Sequence, residues 1–196
     1  MAVDMEALIM DGLLRLCERR PLKAVTVKDI LEETGVSRQT FYNYFQDKND
    51  LIQRVYLRRI IPDFQTPDKN LDFSRSNLAV TRNVLAHRDF LRQACMLEGQ
   101  NCLREFMFDH CKKFDLAWHQ MLYGGGQMPD ELRFATEYHA MASISMLLTW
   151  ILSGASSGAE ELAAMITHLR DIGLGQLLAG RELPESPYKS RGEQTI

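Results

Sequence analysis

Between Thr26 and Ser37 the chain carries four helix-punctuation signals in twelve residues: Thr26, Asp29, Gly35 and Ser37. Thr26-Val27-Lys28-Asp29 fits a capping box, in which the threonine hydroxyl takes an orphan backbone N–H and the acid three places on reaches back. Gly35 tolerates the left-handed turn that ends a helix. Ser37 then caps the next one. Few features bind a fold so tightly. Two short helices must meet here across a turn too tight to hold anything else.

The rest of the chain agrees with a helical reading. Apolar residues recur at helical spacing along almost its whole length, and no alternating strand pattern competes with them. The first helix runs from about Asp4 to Glu18, with Leu8, Ile9, Gly12, Leu13 and Leu16 on one face, and Pro21 stops it. The second starts at Thr26 and the third runs to about Phe45. Asp47 caps a fourth, with Asp50 at its third position. Pro62 and Pro67 mark its exit and a short linker. Longer helices are expected at about 73–87, 89–96, 101–122, 130–152 and 159–178, two of them separated by the loop Gly124-Gly125-Gly126-Gln127-Met128-Pro129. The segment "RELPESPYKSRGEQTI" has little to bury and reads as a flexible tail. The expected fold class is all-α. Residues 1–60 form an N-terminal three-helix helix-turn-helix domain, 61–180 a C-terminal helical domain and 181–196 the tail.

Composition narrows the function classes. The net charge is −3, whereas a general polyanion binder should be basic, so any nucleic-acid role must come from a local patch. Residues 1–60 hold ten Lys/Arg against nine Asp/Glu, and the remainder thirteen against seventeen. Cys17, Cys95, Cys102 and Cys111 form no CxxC pair, and reduced cytosolic thiols are expected. The start MAVDMEALIM has no basic segment and no cleavage site, so no signal peptide is expected. The uncharged run 138–159 approaches the length of a membrane span, but its His139, serines and glycines fit a buried helix followed by a turn.

Helical geometry divides the aromatic stretch "TGVSRQTFYNYF". With Arg38 at zero, Phe41, Tyr44 and Phe45 fall at about 300°, 240° and 340°, on the side that meets the first two helices. Arg38, Tyr42, Gln39 and Asn43 fall at about 0°, 40°, 100° and 140°, a second face with polar tips throughout. That outward set suits DNA: arginine forks onto guanine, Gln or Asn pairs with adenine, and hydroxyls take phosphate. A small bundle with a merely solvated polar face has the same spacing.

From about Leu8 to Val55 the chain resembles the tetracycline-repressor (TetR) family of bacterial transcriptional regulators. The residues that carry the resemblance are "VTVKDILEETGVSRQTFYNYFQDKNDLI", with Thr26, Asp29, Ile30, Gly35, Val36, Ser37, Thr40, Tyr42, Phe45, Lys48, Asp50 and Leu51 in the family's pattern. Leu31 departs from it, where many members carry alanine. The resemblance implies that Thr26 and Lys28 meet phosphate. It implies that Ser37, Arg38, Gln39 and Thr40 meet backbone and base edges. Tyr42 donates to a phosphate, and Lys48 anchors another at a helix start. Asn43 sits on the same face, at a position where members vary. It further implies a C-terminal domain for small-molecule sensing and dimerisation. "HRDFLRQACMLEGQNCL" and "FATEYHAMASISMLLTWILSG" are similar to a subgroup that includes a coactivator of dihydroxyacetone kinase genes, where the input would be a protein partner.

No HExxH, no GxSxG and no phosphate-cradling glycine loop occurs, so neither an enzyme, a metal site nor a cofactor is expected. Phe106, His110, Phe114 and Trp118 recur along one helix and, with Tyr138, are the expected pocket wall; an ordinary core has the same pattern. The helix 130–152 is apolar or small nearly all round, which suggests two packing surfaces. The expected interface is a symmetric four-helix one built from Met141, Ile144, Leu148 and Ile151 with Leu162, Ile166 and Leu169. Together these expectations describe a cytoplasmic, homodimeric regulator that binds a pseudo-palindromic double-stranded operator and is most simply a repressor released by a ligand. The alternative is a coregulator that docks a protein partner through its C-terminal domain. No membrane association is expected.

Overall fold

The computed structural model describes residues 4–124, 126–155 and 158–178; the expected tail, 181–196, lies outside them. Nine α-helices and no strand occur among the described residues: α1 Met5–Arg19, α2 Val27–Thr34, α3 Arg38–Tyr44, α4 Lys48–Val55, α5 Phe73–Ala86, α6 Arg88–Met96, α7 Leu103–Tyr123, α8 Asp130–Leu152 and α9 Ala159–Leu178. Two single-turn 3-10 segments, Leu22–Ala24 and Pro62–Phe64, and a π-helical turn, Tyr56–Ile60, fill the joints.

The local signals act as their chemistry requires. Both halves of the Thr26–Asp29 capping box are formed. Thr26 N and Oγ1 both donate to Asp29 Oδ2, at 2.7 and 2.6 Å. These bonds, the hydroxyl's first, hold the Asp29 carboxyl down at about 2. Gly35 ends α2 in the left-handed conformation, φ 69°. Ser37 caps α3 by accepting from Thr40 N at 3.0 Å, and Asp47 caps α4 by accepting from Asp50 N at 2.8 Å.

Phe41 and Phe45 are wholly buried beside Ile9, Leu13, Leu22, Ile30 and Leu51. The same apolar cluster continues without a break through Val55, Tyr56 and Ile60 into Leu91, Met107, Ile144 and Ile151. Head and body therefore share one core, joined through α4 and its π-helical extension. Polar ties cross the same joint. Asn49 and Gln53 donate to the carbonyls of Gln100 and Asn101. Asn83 donates to Ile60 O, and Leu22 N donates to Gln93 Oε1. No helix among the described residues is long and apolar enough to cross a membrane.

Inside the body, α7, α8 and α9 pack together and α5 lies against α9. Two polar pairs are buried there. His119 Nδ1 and Thr136 Oγ1 lie 2.8 Å apart. Arg170 Nη1 donates to Asp115 Oδ2 at 2.7 Å.

Candidate nucleic-acid interface

The short α3 presents two faces, and its sequence decides which turns outward. Apolar burial locks Phe41 and Phe45 inward, with ring centroids 5.5 Å apart. That fixes the helix about its axis and leaves Ser37, Arg38, Gln39, Tyr42 and Asn43 exposed, with Thr40 half-buried. The Arg38 guanidinium lies 5.6 Å from the Tyr42 ring centroid, a cation–π contact that pre-sets both side chains on one side of the helix. Ser37 Oγ and Thr40 Oγ1 lie 2.8 Å apart, so the two hydroxyls act as one polar unit. Lys28, on α2, is exposed and lies 3.7 Å from Glu32, a surface pairing that is weak and readily exchanged for a phosphate. Thr26 is exposed too, with its hydroxyl committed to the capping box.

Two residues are placed differently from the sequence expectation. Lys48 starts α4, but its ammonium is turned inward, donating to Leu22 O at 3.2 Å and Val25 O at 2.7 Å. Its burial pushes the pKa down. The cause is the 3-10 turn Leu22–Ala24 and its C-cap Val25, whose carbonyls lie within reach of the start of α4, Leu22 O while also accepting from Val25 N. Lys48 is thus first a tie between the segment before α2 and α4, with one N–H left for an anion. Tyr44, expected to be partly core, is 45% exposed, nearly as open as Tyr42. Its position at about 240° lies at the border between the two faces, and the signal was that border. It extends the hydroxyl-bearing rim beyond Tyr42.

The expected pocket wall is only partly a wall. A cavity of about 70 Å³ lies between α5, α7, α8, α9 and the segment after α4. His110 and Phe114 line it. Phe106 does not; it packs against Tyr56 and stacks on His110, because its turn of α7 faces the α4 joint. Trp118 lies one layer out, stacked on Phe73, with Nε1 donating to Asp68 O at 2.9 Å. Tyr138 is 62% exposed and points away from the cavity wall, since Ala140 and Thr136 take the inner positions of that stretch of α8. The residues the sequence did not single out are Phe64 and Phe73, which close the cavity from the linker, and the Asp115–Arg170 pair. Burial raises the Asp115 carboxyl, against the pull of Arg170 beside it.

The expected dimer residues also divide. Ile144, Ile151 and Ile166 are buried within the chain, packed in its own core, and Met141, Leu148 and Leu162 are half-buried. Only Leu169 of that set is open. The exposed apolar side chains of α8 and α9 are instead Phe134, Tyr138, Met146, Met165, Leu169 and Ile172. Among the described residues no group of three or more His, Cys, Asp or Glu is placed to hold a metal. All four cysteines are free thiols.

Comparison with known proteins bears on the N-terminal helices and on the fold. Residues 9–55 match the family described as bacterial regulatory proteins, tetR family. The chain is 23% identical over 155 residues to the HTH-type dhaKLM operon transcriptional activator DhaS of Lactococcus lactis subsp. lactis (strain IL1403), covering 74% of this chain and 77% of that protein. A solved dihydroxyacetone kinase operon activator DhaS superposes with a TM-score of 0.67 at 18% identity, over 93% of this chain and all of that one. A solved putative TetR-family transcriptional regulator from Syntrophomonas wolfei str. Goettingen gives 0.53 at 17% identity, over 91% and 96%.

Proposed function

Taking the chain as a TetR-type transcriptional regulator whose DNA-binding domain spans residues 9–55, we propose that it binds a pseudo-palindromic operator as a homodimer, reading bases with α3. The observation that carries this reading is the split of α3 into a buried Phe41/Phe45 face and an open polar one. On the open face Arg38, Gln39 and Asn43 are placed for base edges, with Tyr42 and Tyr44 for phosphate. Thr26 and Lys28 at the start of α2, Ser37 and Thr40 at the start of α3, and the remaining N–H of Lys48 complete the backbone contacts. The head is nearly neutral, so affinity comes from placing two heads at once on one duplex. Such a regulator works in the bacterial cytoplasm.

Dimerisation is assigned to the exposed apolar stripe of α8 and α9 rather than to their inner faces. Phe134, Tyr138, Met146, Met165, Leu169 and Ile172 put large apolar side chains in water on two adjacent helices, which a symmetric four-helix interface would cover.

The cavity beneath α4 supplies the control. Its linker wall contains Tyr56, Ile61 and Phe64, the residues that directly continue α4. An occupant that favours one placement of this wall biases the spacing of the two heads, and so the affinity for DNA. In its simplest form this is a repressor released by a small molecule. The second reading is a coregulator that docks a protein partner through its C-terminal domain; the similar DhaS is named an activator, which favours activation over repression as the sign of control.

The test is selection of binding sites from random DNA with the purified chain. An enriched motif with two-fold symmetry is expected. Enrichment of no motif would remove the operator-binding reading.

A further inference from the structure

The cavity wall carries one buried donor that no described residue answers. Arg170 comes from α9 with its side chain 5% exposed, and its partner Asp115 is 4% exposed. Nη1 is bonded to Asp115, but Nη2 is buried with no hydrogen-bond partner among the described residues. An arginine has only donors, so Nη2 asks for an acceptor. A buried charged donor left unmet is costly, which makes it a functional signal rather than a neutral detail.

Three further polar side chains of the wall have partners within the chain. Asn77 Nδ2 donates to Ala163 O and Thr167 Oγ1. His110 Nε2 bonds to Phe64 O at 2.8 Å. Cys111 Sγ donates to Ala140 O, and burial keeps it a thiol by pushing its pKa up. Apart from the hydroxyls of Tyr56 and Ser143, the rest of the wall is aromatic or aliphatic, led by Phe64, Phe73 and Phe114. The guanidinium itself lies over Phe73, 4.3 Å from the ring centroid.

Charge sets the ligand's class. Arg170 and Asp115 bring one positive and one negative charge, so the pair is neutral as a unit. His119 nearby is held neutral, its pKa pushed down by burial to about 3. A carboxylate ligand would add a second negative charge beside Asp115, against the single arginine of the described wall. A volume of about 70 Å³ takes roughly five to seven water-sized spheres.

We propose that the cavity binds a small uncharged molecule with a compact apolar body and one acceptor oxygen, a ketone or ether, and that Arg170 Nη2 reads that oxygen. The effector role proposed above gives this site its biological meaning. The binding chemistry stands on the cavity alone.

The experiment uses the full chain and three probes of similar shape, small enough for a cavity of about 70 Å³: 2-methylpropene, acetone and acetate. Binding is measured by calorimetry and by the rise in melting temperature. Acetone is expected to bind about tenfold more tightly than 2-methylpropene, the worth of one hydrogen bond to a charged donor. The carboxylate is expected to bind weakest. The double variant D115L/R170M removes both charges together, which a packed core tolerates better than losing one. It should fold, keep 2-methylpropene and lose the preference for the ketone. Equal binding of ketone and hydrocarbon would overturn the role of Arg170. Tightest binding by the carboxylate would overturn the uncharged class and show that Asp115 gives up its charge. Binding of none of the three would overturn the site. If acetone binds as expected but leaves affinity for the selected operator unchanged, this inference stands and the effector reading fails.

Discussion

Thr34 closes over Gly12 where α1 and α2 cross. A Cβ added to Gly12 would collide with Thr34 Cγ2, and that methyl cannot swing aside, because Thr34 Oγ1 donates to Ile30 O at 2.7 Å. Gly12→Ala is therefore expected to destabilise the head by about 1–3 kcal/mol, as overpacking does. Thr34→Ser removes the methyl and keeps the hydroxyl. The double variant should recover most of the loss in thermal denaturation. A Gly12→Ala chain as stable as the parent would show that the crossing yields.

Substitutions on the two faces of α3 should differ in kind. Gln39→Ala is expected to leave the melting temperature unchanged and to cost about 1–3 kcal/mol of discrimination at one base pair. Tyr42→Phe and Tyr44→Phe should weaken binding to all sequences alike, since phosphate contacts carry no base information. Phe45→Ala should cost about 3–5 kcal/mol of stability and lose DNA binding with the fold. Melting temperature measured beside affinity for specific and random duplexes separates these outcomes. An unfolded Gln39→Ala chain would put that side chain in the core after all.

Lys48 should show both effects. Lys48→Met keeps the aliphatic stem and removes the two bonds to Leu22 O and Val25 O. A loss of roughly 1–3 kcal/mol in stability is expected, together with a salt dependence of DNA binding flatter by about one unit per half-site. A change in salt dependence without a change in melting temperature would make Lys48 a phosphate ligand alone.

Stability should fall in acid, partly through His119. Its pKa in the folded chain is about 3, below the ordinary histidine value, because burial disfavours the charged ring. Between those two values the unfolded chain binds the proton and the folded chain does not, so stability falls as pH falls through that window. Burial lowers His87 and His139 in the same direction. His119→Gln should keep a partner for Thr136 and lose up to about 1.4 kcal/mol per pH unit of this dependence. Denaturation midpoints of parent and variant at pH 7 and pH 5 give the comparison. Parallel slopes would mean that the ring is protonated in the folded chain.

The α8–α9 surface separates interface from core. Leu169→Glu places a charge on the exposed stripe and is expected to yield a folded monomer by light scattering. Ile144→Ala should instead cost about 2–5 kcal/mol of subunit stability, since that side chain is 5% exposed within one chain. A Leu169→Glu chain that stays dimeric would move the interface elsewhere.

The sequence was most informative where structure is set locally. The Thr26–Asp29 box, Gly35, Ser37 and Asp47 mark the ends of α2, α3 and α4 by groups within four residues of one another. The ranges 130–152 and 159–178 could be read from their flanking breakers. It was least informative where a side chain's fate depends on distant chain. Lys48 turns inward because a 3-10 turn more than twenty residues earlier offers its carbonyls. Phe73 reaches the cavity only because α5 folds back against α9. In α8 apolar side chains surround the helix, so no stripe marks Ile144 as inner or Tyr138 as outer. The π-helical turn Tyr56–Ile60 leaves no local mark in residues that suit an ordinary helix equally well.

The unbroken core between head and body sets a rule for cutting and grafting. A cut after α4 would strand Val55 and leave Leu91 and Met107 facing water, so the head is not a cassette. A chimera that borrows another regulator's α1–α3 must keep this chain's own α4, or bring a new lining for α6 and α7 with it. Target sequence can thus drift on the open face of α3 while the hinge surface behind it stays tied to the body it serves.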